Sequence, residues 1–217
     1  MELDEALQRI AVIHRHIVRG QLFRGYRAVP TFLSGLLAFL ACAIQGIWFD
    51  DNVNVVACIV LWASTAAASI AIVAVEMFLR VRRSVSSLER DMTIGAAEQF
   101  LPTIAAGALL TFVLSQFAPD DLWLLPGLWA IMFSLGVFAS RRMLPPAMLI
   151  VAVHYLVTGL ACIALGHDGP FFPAWAMALT FGTGQFMAAG ILYWSLERKE
   201  IGPAPDSEQS PPKLTNV

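Results

Sequence analysis

Charge is what this sequence has least of, and its few basic residues avoid half of the loops. Only 14% of the 217 residues are Asp, Glu, Lys or Arg, against 58% hydrophobic, and the mean hydropathy is +0.68. That balance excludes a water-soluble domain, which at this length needs more polar surface to cover its core. Cysteine is scarce too. Cys42, Cys58 and Cys162 all fall in apolar runs, and no two stand at C-x-x-C spacing, so they read as small buried hydrophobes rather than a disulfide framework or zinc site. Histidine numbers four. Patterns of the G-x-S-x-G, Walker A, H-E-x-x-H and EF-hand kinds do not occur, which leaves no recognisable catalytic constellation.

What is present is a set of long apolar runs. Six of them, 31–48, 54–78, 100–117, 122–139, 145–165 and 174–194, each approach the roughly 20 residues needed to cross a hydrocarbon core. Three short turns between them contain Asp50, Asp51, Asp120, Asp121, His167 and Asp168 and no Lys or Arg. The other connections and both termini hold all fourteen basic residues, including Arg24, Arg27, Arg80, Arg82, Arg83, Arg141, Arg142, Arg198 and Lys199. Basic residues near span ends set orientation, so this asymmetry puts both termini in the cytoplasm of a bacterial inner-membrane protein. Spread over four segments without interleaved aromatics, the same residues suit anionic lipid rather than nucleic acid.

The fold class expected is all-α: a polytopic bundle of six transmembrane helices arranged as three hairpins, preceded by an N-terminal amphipathic helix. Leu3, Leu7, Ile10, Ile13 and Ile17 recur at helical spacing over residues 2–19 among charged positions, and such a stripe suits the membrane interface or a partner. Residues 1–29 are thus an interfacial helix and linker, 30–197 the membrane domain, and 198–217, with four prolines after Gly202, a disordered cytoplasmic tail. Ala41-Cys42-Ala43 matches a signal-cleavage pattern, but the apolar run continues to Trp48 and the preceding region of about thirty residues is too long, so the first span is read as uncleaved. The charged stretch from Leu79 to Gln99 is expected to prolong the second span. That span, with Ala63, Ser64, Ala67, Ser69, Ala71 and Ala74, is smooth and is expected to be central.

The entry Arg24-Gly25-Tyr26-Arg27-Ala28-Val29-Pro30, after the amphipathic helix, resembles that of a group of uncharacterised bacterial multi-pass inner-membrane proteins. The resemblance covers the N-terminal third and implies the membrane architecture but no activity. Each acidic turn is followed within about a dozen residues by Trp62, Trp129 or Trp175, a pattern compatible with an ancestral hairpin repeat or with convergence.

Ionisable and polar groups inside spans are the functional candidates. His154 lies near the middle of the fifth span, as a proton-relay or ligand residue or as a neutral imidazole bonded to a neighbouring helix. Gln45, Thr183 and Gln185 complete the polar residues that would line a midmembrane cavity. Glu76, Glu98 and Gln99 would flank its cytoplasmic mouth, unless Glu76 simply pairs with Arg80. Gly182, Gly184 and Ala188 form a small-residue face suited to close helix packing. His14 and His16 fall outside the spans and His167 in an outer turn, so a bis-histidine haem is not expected, nor is any other cofactor or metal. The expected partners are the lipid bilayer and, through residues 2–19, a second copy or another membrane or cytoplasmic protein. A small transporter or channel ranks first among functions, followed by a sensory or partner-binding subunit and then a structural membrane protein.

The topology yields a direct test. In a background without native cysteines, Asp120→Cys and Asp168→Cys should react with an impermeant thiol reagent added to intact spheroplasts, whereas Arg141→Cys should not. Labelling at 141 with protection at 120 would invert the orientation, and mixed labelling would break the span assignment.

Overall fold

In the computed structural model, residues 28–48, 55–83, 87–166 and 173–197 are described. Expectations for the amphipathic helix, the tail, the first acidic turn and most of the third fall outside them. Among the described residues every regular element is helical: α1 (Ala28–Trp48), α2 (Val55–Arg83), α3 (Ser87–Phe117), a 3-10 turn (Pro119–Leu124) running into α4 (Leu125–Ala139), and α5 (Met148–Gly166). The last helix, α6, alternates register. It comprises an α-helical turn (Ala174–Met177), a π turn (Ala178–Gly182), an α segment (Thr183–Leu192) and a second π turn (Tyr193–Glu197). Six helices among the described residues are long and apolar enough to cross a membrane, with spans of 19 to 25 residues.

Prolines mark the ends where the chain changes direction. Pro30 lies in the first turn of α1, Pro119 and Pro126 occupy first-turn positions of the 3-10 turn and α4, and Pro173 caps α6 in extended conformation. At these positions a missing N–H removes no helical hydrogen bond. Pro102, by contrast, lies inside a helix, α3.

The helices neighbour one another in the order α2, α1, α6, α5, α4, α3, with α1 against α6 and α5 against α4 the most extensive contacts and α3 barely touching α2. Two buried clusters hold this row together. One joins Ala130 and Val137 of α4 to Val151, Ala152 and Tyr155 of α5 and Ala188, Ala189 and Leu192 of α6. The other joins Ala38 and Ala41 of α1, Cys58, Ile59 and Trp62 of α2, Leu122, Leu125 and Met177. Phe181 packs against both.

Two expectations are corrected. The segment after Leu79 does not simply extend the second span: α2 ends at Arg83, and Ser87 onward belongs to α3, whose charged first turns lead without a break into its apolar part. Nor is α2 central. Only 17% of its apolar window is buried and none of that of α3, against 50% for α6, and Ala63, Ser64, Ala67, Ala71 and Ala74 are exposed. Small side chains permit close approach but supply no attraction by themselves. Burial on α2 is instead concentrated at Cys58, Ile59 and Trp62 near its first turns.

The tight α4–α5 contact has a visible cause. A Cβ on Gly127 would lie 2.6 Å from the Gly159 carbonyl oxygen, and one on Gly159 would lie 2.8 Å from that of Gly127. The two backbones therefore touch, as small residues allow in membrane helices. Gly159→Val should lower thermal stability in detergent by about 1–3 kcal/mol, the usual cost of overpacking. Gly107→Ala, where a Cβ meets nothing within 4 Å, should be tolerated. Equal losses in the two variants would argue against the crossing.

Candidate functional site

The midmembrane polar groups converge on the irregular part of α6. A π turn breaks the i to i−4 ladder, so its carbonyls become available to partners outside the helix, a feature frequent at functional sites. Here α5 supplies those partners. His154 Nε2 lies 3.1 Å from the Thr180 carbonyl oxygen, and the Tyr155 hydroxyl donates to the Phe181 carbonyl at 3.4 Å. The Thr183 hydroxyl donates to the Leu179 carbonyl, and its oxygen lies 3.1 Å from His154 Nε2. Thr158 donates to the His154 carbonyl at 2.8 Å, and Cys162 Sγ lies 3.8 Å from Thr180 Oγ1.

These bonds fix the histidine tautomer. A carbonyl only accepts, so Nε2 carries the proton. Thr183 spends its own proton on Leu179, and its oxygen accepts from the same N–H. The Gln185 amide of α6 lies close to the Tyr155 hydroxyl. Glycines let the helices close over this network: a Cβ on Gly184 would lie 2.5 Å from the Tyr155 ring, and one on Gly182 would lie 2.5 Å from the Phe39 ring of α1. Ala188, one turn on, is buried.

On the inner side of the seam, rings fill the bundle. The Phe133 ring centroid is 4.7 Å from that of Tyr155 and 6.5 Å from that of Phe181, and Tyr155 is 5.7 Å from Phe181. Ser134, fully buried, donates to the Ala152 carbonyl at 2.8 Å. A small cleft of about 10 Å³, lined by Val137, Arg141, Leu144 and Met148 among others, lies near the α4–α5 turn rather than at His154. Its volume is at the lower limit for one water molecule.

The remaining candidates lie apart. Gln45 is fully buried in α1, where its Oε1 accepts the Trp62 indole N–H at 2.6 Å. His154, Thr183 and Gln185 thus share the α5–α6 seam, while Gln45 belongs to the α1–α2 contact. Glu76 is half-buried on α2, and Glu98 and Gln99 are exposed on α3. The side chain of Arg80 is outside the described residues. Among the described residues no three His, Cys, Asp or Glu side chains come together as metal ligands.

Sequence reasoning missed the hydrogen-bonding role of two tryptophans. Like Trp62, Trp129 donates to the preceding helix, reaching Thr111 Oγ1 at 2.8 Å. The signal was available, since 17 and 18 residues separate the partners across a short turn. No protein family, characterised protein or solved structure gives a match to the chain.

The Gln45–Trp62 pair is testable by a double-mutant cycle. Trp62→Phe keeps most of the ring but removes the donor to a buried acceptor, and should cost about 1 kcal/mol, the scale of an interhelical membrane hydrogen bond. Adding Gln45→Leu should recover part of that loss, because the acceptor goes as well. Strictly additive losses in thermal melts would show that the bond contributes nothing.

Proposed function

We propose that this chain is a multi-pass protein of the bacterial inner membrane, with cytoplasmic termini, that acts as a sensory or partner-binding subunit rather than as a conduit. The orientation is supported by the placement of all fourteen basic residues outside the three acidic turns, and by exposed Asp120 and Asp121 at one end of α4 with exposed Arg141 at the other. One observation carries the preference over transport: the Phe133, Tyr155 and Phe181 rings pack into the middle of the bundle, and the Tyr155 and Thr183 hydroxyls and His154 Nε2 are bonded within the seam. A conducting path needs polar groups turned toward water. The partner contact falls to the apolar stripe Leu3, Leu7, Ile10, Ile13 and Ile17.

Transport retains one supporting observation. Irregular helices at midmembrane are the usual site of substrate and ion binding in transporters, and α6 leaves α-helical register beside His154.

Two measurements separate these readings. Liposomes containing the purified full chain and an entrapped pH dye should leak protons and potassium no faster than empty ones. A photo-crosslinking amino acid at Leu7 or Ile10 should form a discrete adduct in cells, and deletion of residues 2–19 should leave the spans inserted. Flux several-fold above empty liposomes, abolished by His154→Gln, would replace this reading with transport. Failure of both crosslinking positions to form an adduct would remove the partner surface.

A further inference from the structure

Among the described residues, the His154 ring of the α5–α6 seam has one nitrogen that no hydrogen bond from the protein reaches. Both contacts of the His154 ring are made by Nε2, to Thr180 O and Thr183 Oγ1. In the neutral ring with its proton on Nε2, the other nitrogen, Nδ1, carries a lone pair and accepts. Among the described residues no hydrogen bond reaches Nδ1, and the protons of three neighbouring hydroxyls are committed elsewhere. That of Thr158 goes to His154 O, that of Thr183 to Leu179 O, and that of Tyr155 to Phe181 O.

Position determines where a donor comes from. His154 is the seventh residue of the 19-residue α5, about 9 Å along the helix from Met148 at 1.5 Å per residue, and so at hydrocarbon depth. Inward, it meets the edge of the Tyr155 ring at 5.6 Å, behind which lie Phe133 and Phe181. Outward, it is flanked by Ile150, 58% exposed, and Val157, also 58% exposed, on α5, and by Leu179, 52% exposed, on α6. The open approach is from the lipid side. An acceptor left unpaired in hydrocarbon is costly, and the donors dissolved there are hydroxyl groups on apolar tails.

We propose that the lipid-facing side of this seam is a binding site for a membrane-dissolved molecule that bears a hydroxyl group on an apolar tail, with the O–H donating to His154 Nδ1. The exposed Ile150, Val157 and Leu179 side chains receive the tail, and the hydroxyl reaches the ring between them. A quinol and a diacylglycerol share this chemistry. A quinone, which only accepts, does not. No electron transfer is involved. The site does not depend on whether the N-terminal helix binds a partner.

The test uses the full chain carrying His14→Gln, His16→Gln and His167→Gln, so that His154 is the one remaining histidine, with ¹⁵N-labelled imidazole in phosphatidylcholine nanodiscs. Decylubiquinol, dioleoylglycerol and decylubiquinone are titrated separately, with the Nδ1 resonance as readout. The expected result is a saturable one-to-one shift with at least one of the two alcohols and none with the quinone, and the alcohol that produces it identifies the source. Three results would overturn the site: no shift with either alcohol, an equal shift with the quinone, or an Nδ1 already protonated or hydrogen-bonded before any addition.

Discussion

Inside a bilayer every backbone carbonyl needs a partner supplied by the protein, and in this molecule the π turn of α6 is where that need is most acute. Two adjacent α5 side chains, His154 and Tyr155, meet it by bonding the Thr180 and Phe181 carbonyls. The consequence is geometric. Side chains of this length reach those carbonyls only if α5 and α6 run close together, and Gly184, with Tyr155 packed where a Cβ would be, permits the approach. Phe181, held by the same turn, touches both buried clusters. A register break in one helix therefore fixes the spacing of the two helices around it and joins the two halves of the core.

How much of this was legible in the sequence depends on the physics behind each feature. The spans were legible because bilayer thickness imposes a length, and the apolar runs state that length directly. The expected 31–48 and 174–194 differ from Ala28–Trp48 and Ala174–Ser195 by three residues or fewer at either end. The π turn was not legible. Phe181-Gly182-Thr183-Gly184 is compatible with an unbroken α-helix, and the break is stabilised by side chains on a different helix more than twenty residues away. The outlying position of α2 was hidden for a related reason. Alanine and serine on its surface specify that a neighbour can fit, and only Trp62, bound to Gln45, specifies where one does.

Of the site candidates, those near one another in sequence on α6 met His154 because an antiparallel hairpin brings its two helices level. Gln45 did not join them. Its chemistry resembles that of Gln185, but it lies near the opposite end of α1 from the Gly35 position that faces Gln185 and Phe186. Residue type identified polar groups that need partners. Which partner each found was decided by depth along the helices.

Depth also bears on the hairpin repeat. The level pairs are Gln45–Trp62, Thr111–Trp129 and Cys162–Thr180, at separations of 17, 18 and 18. Any two antiparallel helices joined by a short turn place residues at such separations opposite each other, roughly 5–10 Å from the helix ends at 1.5 Å per residue, so the separation alone reflects geometry and not ancestry. The more specific feature is an indole on the returning helix that donates to an oxygen on the outgoing one, as Trp62 and Trp129 do in the first two hairpins. In the third, Trp175 is 63% exposed, and the level contact is a 3.8 Å approach of a thiol and a hydroxyl, a weak donor and acceptor pair. The third hairpin is instead tied deeper, at the π turn, by His154 and Tyr155. If one hairpin gave rise to all three, the last exchanged a strong clasp near its turn for a polar seam in its middle, and that exchange is what places an imidazole at hydrocarbon depth beside lipid.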